Sequence, residues 1–277
     1  MSEWVIESPA ATATPMSPGV LGPALTLARR ELVRFFRQRN RVVGALLQPI
    51  IFFVFFGAAL NNSFKPPTGA EGMSYQEYFF PGTIVMIVMF TAIFSTISII
   101  EDRREGFLQS VLVSPAPRLG MVLGKVFGGS ALAMIQALLF MCAGFFLKIK
   151  LDAVMIAQAA GILALISFAL CGLGFIIAWR MDSTQGFHAI MSVFLLPMLM
   201  LSGAFFPDAG LPLWLSWIVK LNPLTYGVAA LRHVLYDKPL PFLPDFKLSL
   251  ALTAAFAAVT VIGSVLISGT RTTGDLQ

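Results

Sequence analysis

Six stretches of the chain are long enough to cross a lipid bilayer and carry almost no charged side chains. They lie at about 42–60, 79–100, 121–147, 153–178, 184–206 and 248–269. Roughly 17–25 apolar residues cross the hydrocarbon core as a helix. Inside lipid, every backbone group needs a partner within its own segment, which at these lengths only an α-helix provides. The sequence therefore predicts an all-α integral membrane protein with six transmembrane helices.

Composition supports this fold class. Apolar residues make up 57% of the chain and charged residues only 12%, whereas soluble domains are about one quarter charged. No segment between the apolar runs has room for a hydrophobic core of its own, so we expect residues 21–277 to form a single membrane domain. Residues 1–20 are rich in Pro, Ala and Thr and lack the basic and apolar parts of a signal peptide. We expect them to form a disordered head.

The distribution of Lys and Arg predicts which side of the membrane each loop faces. Six arginines precede the first run: Arg29, Arg30, Arg34, Arg37, Arg39 and Arg41. Because short cytoplasmic loops are enriched in basic residues, we expect both termini on the cytoplasmic side of the inner (plasma) membrane, with 61–78 and 207–247 outside. The short basic segment 148–152 opposes this assignment, but the flank of the first span usually dominates. Basic loops also account for the net charge of +5, so no nucleic-acid partner is predicted.

The arginine-rich segment before the first run has a helical pattern of its own. Apolar side chains recur there at three- and four-residue steps, namely Leu21, Leu25, Ala28, Leu32, Phe35 and Phe36. The arginines occupy the other faces, and Pro23 suits a helix start. We expect an amphipathic interface helix that lies in the inner headgroup layer. The alternative is a plain positive-inside flank.

A different pattern separates the fifth and sixth runs. Two apolar helical stretches, about 211–221 and 224–236, are divided by Asn222 and Pro223. Each is too short to cross a bilayer, and the proline discourages one continuous helix. Trp214, Trp217 and Tyr226 are residue types that favour the membrane interface. The pattern predicts a re-entrant helical hairpin on the outer side; the alternative is a broken seventh span, which would place the C-terminus outside.

Few side chains in the apolar runs could carry chemistry or drive transport. Carriers driven by ion gradients usually need ionisable groups near the membrane midplane, whereas these runs offer only Gln48, Gln136, Gln158, His188 and, near one end, Lys125. The segment 120–126 departs from the phosphate-binding loop in spacing and lacks its Ser or Thr. Its glycines, with Gly128, instead predict close helix packing. We expect no catalytic residue, metal site or cofactor in this chain.

The most charged stretch of the chain, 101–118, lies between the second and third runs. A charged head of five residues, 101–105, precedes Gly106: Glu101, Asp102, Arg103, Arg104 and Glu105. An apolar helical face follows (Phe107, Leu108, Val111 and Leu112), and Ser114 and Pro115 end the pattern. A short helix with one apolar face, held between two spans, suits the groove of a partner protein. The alternative is a helix that lies on lipid.

The stretch from Glu101 to Lys125 resembles the first cytoplasmic loop of type 2 ABC transporter permeases. The residues that match the family pattern are Glu101, Glu105, Gly106, Leu108, Leu112, Ser114, Pro115, Gly124 and Lys125. The resemblance extends to "FFPG" at 79–82 and to much of 201–232. It implies six spans, an N-terminal interface helix, a cytoplasmic coupling helix at 101–115 and re-entrant helices before the last span.

The resemblance also implies partners and a function. A separate ATP-binding subunit in two copies would bind ATP and Mg²⁺, and a second permease subunit, in a homodimer, would complete the exporter. This chain would then be the non-catalytic permease of an ATP-driven exporter for an amphipathic, drug-like or lipid-linked cargo. Glu101 and Glu105 would meet the ATPase or the arginines of the interface helix. The alternatives are a self-powered secondary transporter or channel, or a membrane-embedded enzyme.

Overall fold

The computed structural model describes residues 19–37, 39–67, 70–114, 117–147, 149, 151–207, 211–236 and 240–269. Within these ranges every regular element is a helix, which confirms the all-α class. The elements are α1 (Leu21–Arg37), α2 (Arg39–Leu60), α3 (Tyr75–Ser95), α4 (Ile97–Arg104), α5 (Phe107–Val113), α6 (Arg118–Met141), a 3₁₀ helix (Cys142–Leu147), α7 (Ala153–Trp179), α8 (Thr184–Met200), α9 (Leu213–Leu221), α10 (Pro223–Leu235) and α11 (Phe246–Ser268). Most of the expected disordered head, 1–18, lies outside the described residues, as does the C-terminal segment 270–277.

Four helices in the described part of the chain are long and apolar enough to cross a membrane. They are Tyr75–Arg104, which joins α3 to α4 through a turn at Thr96, Arg118–Leu147, Ala153–Trp179 and Phe246–Ser268. Shorter apolar helices, Leu47–Leu60 and Thr184–Met200, occupy the predicted first and fifth spans. At 1.5 Å per residue, the 17 residues of α8 extend about 26 Å. Four of the predicted spans are therefore helices of sufficient length and hydropathy, and the total of six stays a prediction.

Polar side chains define where several of these helices begin. Ser74 and Glu77 form a capping box at the start of α3, in which the Ser74 Oγ accepts from the Glu77 N–H at 3.2 Å and the Glu77 Oε2 accepts from the Ser74 N–H at 2.8 Å. Single side chains cap four later helices: Asp152 for α7, Ser183 for α8, Asn222 for α10 and Asp245 for α11. Each cap satisfies backbone donors that have no partner inside the helix.

Hydrogen bonds tie one end of the helix bundle together near α5. Arg118, at the start of α6, donates from Nη1 to the carbonyls of Ser268 and Gly269 at the end of α11, both at 3.1 Å. Arg103, at the end of α4, donates from Nη2 to the Trp179 carbonyl at the end of α7, at 2.6 Å. The ends of α4, α7 and α11 and the start of α6 therefore lie together. We call this the α5 end.

The opposite end of the bundle is tied by Tyr78 and Arg232, and we call it the hairpin end. The Tyr78 hydroxyl donates to the Gly203 carbonyl at 2.8 Å, and Arg232 Nη2 donates to the same carbonyl at 2.9 Å. Gly203 follows α8, and Arg232 lies in the last turn of α10. The segment that contains α9 and α10 thus leaves and returns at the same end of the bundle.

Helix α1 packs lengthwise against the first turns of α6. Gly120 faces Val20, Gly124 faces Leu27 and Gly128 faces Glu31. A β-carbon on Gly124 would stand 2.7 Å from the Leu27 β-carbon and 2.8 Å from the Ala24 carbonyl oxygen, closer than real atoms approach. The glycines therefore let two helix backbones come close, as their spacing predicts. Because the paired positions advance together, α1 runs in the same direction as α6.

The arrangement also shows which face of α1 packs on the bundle. The expected position of α1 in the headgroup layer stays a prediction. Its inward face is formed by Ala24, Leu27, Glu31 and Phe35, all buried. Two residues of the predicted apolar face, Leu21 and Leu25, lie outward and are exposed. The helical period was predicted correctly, but the face that contacts the bundle is a different one, because Phe35 alone among the six predicted apolar positions is buried.

Candidate functional site

The charged head of the 101–118 stretch is the last turn of a spanning helix. Helix α4 ends at Arg104, and Gly106 then adopts a left-handed conformation with φ of 74°. Glycine tolerates this conformation because it has no β-carbon. The chain consequently turns within two residues and starts α5. The sequence motif places five charges on α4 and its cap, and the apolar residues on α5.

Asp102 is the centre of a buried set of charges. Its side chain is 0% exposed. Its Oδ1 accepts from Arg30 Nη2 at 2.8 Å and from Arg34 Nη1 at 2.9 Å, while its Oδ2 accepts from Arg30 Nη1 at 3.0 Å and from Lys125 Nζ in a short contact. The two bonds from Arg30 form the bidentate arrangement that guanidinium and carboxylate groups favour.

Lys125 brings a third helix into this set. It lies on α6 and is 5% exposed. Besides Asp102, its Nζ donates to Glu31 Oε1 of α1 at 2.6 Å and to Ser98 Oγ of α4 at 3.0 Å. We refer to Arg30, Glu31, Arg34, Asp102 and Lys125 as the ion cluster. It joins α1, α4 and α6 at the level where the apolar part of the α3–α4 helix ends.

The ion cluster extends toward α5 through the two arginines of α1. Arg34 Nη2 forms ion pairs with Glu101 at 2.9 Å and with Glu105 at 3.4 Å. The Arg30 guanidinium lies 3.8 Å from the ring centroid of Phe107, in cation–π geometry. The Asp102 carboxylate, hydrogen-bonded to Arg30, raises the pKa of that guanidinium above its ordinary value. Glu101 and Glu105 were expected to contact either the ATPase or the arginines of the interface helix. The structure shows both of them paired with Arg34 of that helix.

The other two charges of the head point to the opposite side of α4. Arg103 donates from Nη1 to the Met181 carbonyl and to Asp182 Oδ1, both at 3.2 Å. Arg104 donates from Nη2 to the Asp182 carbonyl at 2.7 Å. These bonds reach the short loop between α7 and α8. The end of α4 is thus held by α1 and α6 on one side and by the α7–α8 loop on the other.

The apolar face of α5 packs inside this chain. Leu108 is 3% exposed, and Phe107, Val111 and Leu112 are half-buried against the same core. This face was expected to fill the groove of a partner, and for Leu108 the structure corrects that expectation, because the side chain is buried within its own chain. The surface left open consists of Gln109, Ser110 and Val113, the last 84% exposed. Ser114 ends the helix in extended conformation, and Pro115 lies outside the described residues.

The remaining interface-helix arginines have different surroundings. Arg29 and Arg37 are exposed on α1. Neither makes an ion pair or hydrogen bond with any residue that the structure describes. Arg39 and Arg41 belong to the start of α2, but their side chains lie outside the described part of the chain. The four described arginine side chains of the sequence cluster therefore divide into two members of the ion cluster and two outward members.

The predicted hairpin residues form a break between two short helices. The Asn222 Nδ2 donates to the Met198 carbonyl at 2.6 Å, and its Oδ1 accepts from the Leu224 N–H at 3.0 Å, while Pro223 occupies the first turn of α10. The Tyr226 hydroxyl donates to the Lys220 carbonyl at 2.8 Å. Trp214 and Trp217 are exposed on α9. The structure confirms two helices separated at Asn222 and Pro223.

Sequence reasoning missed three buried charges. Asp102 lay within the charged head without being singled out, although an i+4 pair of arginines on α1 signalled an acidic partner. Glu31 stands on the same helix face as Ala24 and Leu27, which marked it as inward. Arg232 is 3% exposed and lies in an apolar segment that was predicted to be at the membrane interface. Among the described residues, no group of His, Cys, Asp or Glu side chains is arranged to hold a metal ion.

Comparison with known proteins identifies related chains. A family model described as "ABC-2 type transporter" matches residues 24–236, more than half of the chain. The chain is 28% identical over 210 residues to the ycf38 protein of Cyanophora paradoxa, covering 75% of this chain and 72% of that one. It is 24% identical over 232 residues to the inner membrane transport permease YadH of Escherichia coli, covering 82% and 88%. It is 20% identical over 229 residues to the daunorubicin resistance ABC transporter permease protein DrrB1 of Streptomyces coeruleorubidus, covering 80% and 78%.

Proposed function

Because the chain belongs to the ABC-2 type transporter permease family, we propose that it is the membrane subunit of an ATP-driven exporter. A separate ATP-binding subunit, present in two copies, binds ATP and Mg²⁺ and hydrolyses the nucleotide. The permease itself converts the motion of that subunit into passage of cargo. The observation that carries this proposal is the ion cluster, which connects the exposed α5 segment to two helices of the bundle.

The ion cluster supports a coupling role because its members come from separate elements. A displacement of α5 acts on Glu105 and on Phe107, both of which contact the arginines of α1. Asp102 then links α1 and α4 to Lys125 on α6. Ionic bonds in a buried setting are strong and directional. Movement at α5 therefore displaces α1, α4 and α6 together.

The open side of α5 is the surface proposed to meet the ATP-binding subunit. Gln109, Ser110 and Val113 are exposed there, and Arg104 and Glu105 lie beside them with part of their surface free. An apolar residue surrounded by polar and charged neighbours suits the centre of a transient interface. Leu108 fixes the helix to its own chain, so that a push on the open side is transmitted.

For the membrane topology, we propose that the α5 end lies in the cytoplasm and that α2 and α8 also cross. The basic residues favour this orientation. The shared contacts of Tyr78 and Arg232 with Gly203 support a re-entrant hairpin over a seventh span. A crossing would separate the ends of that segment by about 30 Å. Both termini are then cytoplasmic, in the plasma membrane.

A groove between α8 and α9 is proposed to contact cargo. It is an open groove of about 320 Å³, lined mostly by apolar side chains, including Phe194, Met198 and Ile218, together with Asn222. Such a lining suits an amphipathic, drug-like or lipid-linked molecule, and one relative is named for daunorubicin resistance.

Much of α8 is exposed around a single buried stripe of Phe187, Met191, Leu195 and Leu199. We propose that a second copy of the chain covers the exposed surface of α8, so that the permease is a homodimer.

The proposal is tested by purifying the chain with and without the ABC ATP-binding protein of the same genome. We expect no ATP hydrolysis by the chain alone, a complex with two copies of each subunit, and ATP-dependent efflux of a lipophilic dye from vesicles that contain the complex. Efflux by the chain alone under an ion gradient would instead support a secondary transporter. Stoichiometric ATP binding by the isolated chain would contradict the division of labour.

A further inference from the structure

Arg29 and Arg37 are exposed on α1 and form no ion pair with the described residues of the bundle. Their neighbours Arg30 and Arg34 are neutralised by Asp102, Glu101 and Glu105. Arg29 and Arg37, in contrast, are exposed and have no ionic partner among the described residues. The helix therefore carries two outward cations that coupling through the ion cluster does not explain.

The surface around Arg29 is apolar. At 3.6 residues per turn, Leu25, Val33 and Phe36 lie within about 40° of Arg29 around the helix axis. Their exposed fractions are 69%, 48% and 51%. Exposure of these apolar side chains to water is unfavourable, and transfer of the charged guanidinium into hydrocarbon is also unfavourable. A boundary layer accommodates both, because an arginine can extend to headgroups while its apolar neighbours contact acyl chains.

The position of α1 places this surface at such a boundary. Helix α1 packs on α6 between Gly120 and Gly128, within the first turns of a spanning helix. On the bundle side, Lys125 and Asp102 mark the level at which the apolar part of the α3–α4 span gives way to charged residues. The outward face of α1 therefore lies beside the end of a spanning helix, where a layer of lipid headgroups is expected.

We propose that this face of α1 binds anionic phospholipids, with Arg29 and Arg37 contacting headgroup phosphates. Guanidinium groups match phosphate geometry in a bidentate manner, and an anionic leaflet attracts basic residues near its surface. The two arginines are eight positions apart, about 12 Å along the helix, so they contact two headgroups. The proposal rests on the proposed function only in taking α1 to lie at the membrane.

The test is a lipid titration of the purified full-length chain in detergent, followed by native mass spectrometry. Phosphatidylglycerol and phosphatidylcholine are compared for the wild type, the Arg29→Gln/Arg37→Gln variant and the matched control Arg180→Gln. Arg180 is exposed at the same end of the bundle, on the cap of α7. One basic residue near an anionic surface changes affinity about fivefold. We expect the double variant to lose its preference for phosphatidylglycerol by that factor for each arginine, and the control to keep it.

Two outcomes would overturn the proposal: an equal loss in Arg180→Gln, which would indicate a general effect of net charge, or an unchanged preference in the double variant. Inorganic phosphate is added in a separate arm. If it displaces phosphatidylglycerol completely, the site recognises free phosphate rather than a lipid. Because no ATP-binding subunit is present, failure here leaves the exporter proposal untouched.

Discussion

Arg30 of α1 holds the carboxylate of Asp102 with both terminal nitrogens, at 2.8 and 3.0 Å, although the two residues are 72 positions apart. Lys125 approaches the same carboxylate from α6. Three cations thus depend on one fully buried acid. Removal of one partner of a buried ion pair leaves the other charge without compensation, which costs more than the pair contributes when intact.

Asp102→Ala is therefore expected to destabilise the chain strongly. Loss of the carboxylate leaves Lys125 with Glu31 as its one acidic partner among the described residues and leaves Arg30 without its bidentate partner. We expect the free energy of unfolding to fall by about 3–5 kcal/mol, measured by thermal denaturation in detergent. Asp182→Asn is the control, because the Asp182 side chain is 78% exposed and exposed ion pairs contribute at most about 1 kcal/mol. Equal losses in both variants would contradict a special role for the ion cluster.

Gly124→Val is expected to push α1 away from α6. The new side chain would meet the Ala24 backbone and Leu27 at less than van der Waals distance, and overpacking of this kind costs about 1–3 kcal/mol. Thermal denaturation measures the loss of stability. A pair of cysteines introduced across α1 and α6 should also cross-link more slowly in the variant than in the otherwise wild-type chain.

The matched control for this substitution is Gly161→Ala on α7. A β-carbon at Gly161 meets nothing within 4 Å, and alanine favours a helix over glycine by up to about 1 kcal/mol. The control should therefore be neutral or slightly stabilising. A Gly124→Val chain as stable as the wild type would show that the close approach of α1 and α6 is not required.

Two substitutions on α5 should distinguish binding of the ATP-binding subunit from stability of the chain. Val113→Asp changes an exposed residue, so the stability of the chain should remain within about 0.5 kcal/mol of the wild type while co-purification of the ATP-binding subunit is lost. Leu108→Asp places a carboxylate in the chain's own core and should lower the unfolding temperature before any partner is added. If Val113→Asp co-purifies at the wild-type level, the open side of α5 is not the docking surface.

Cysteine labelling tests the two ends of the bundle. In a chain with Cys142 and Cys171 replaced by Ala, an impermeant maleimide added to intact cells should label Lys65→Cys and Lys247→Cys. It should not label Gln109→Cys until the membrane is permeabilised. If the segment 203–232 crossed the membrane, Lys247→Cys would instead lie at the α5 end. Labelling of Gln109→Cys in intact cells would reverse the proposed orientation.

Local chemistry made parts of the fold predictable from sequence. The break between α9 and α10 follows from a proline that lacks an N–H and an asparagine that caps the next helix, and both effects act within a few residues. The glycine spacing of α6 also predicted close packing, because the absence of side chains on one face has few other uses in a spanning helix.

The remaining features depended on residues far apart in the chain. The arginines of α1 look alike in sequence, and only the position of α6 decides that Arg30 and Arg34 face Asp102 while Arg29 faces outward. Similarly, the period of α5 identified its apolar face correctly, but a helical period does not tell whether that face packs on the chain itself or on another protein. Leu108 was assigned to a partner for this reason.

The parallel packing of α1 on α6 has a consequence for biosynthesis. Glu31 and Lys125 are 94 positions apart, and at about 5–20 residues per second the ribosome needs roughly 5–20 s to make the chain between them. During this interval α1 has emerged, and its inward face, including the carboxylate of Glu31, has no partner. Docking of α1 therefore has to wait until α6 has been synthesised, although α7 to α11 are still to follow. A nascent chain truncated before Lys125 would expose this face to the chaperones and proteases of the cell.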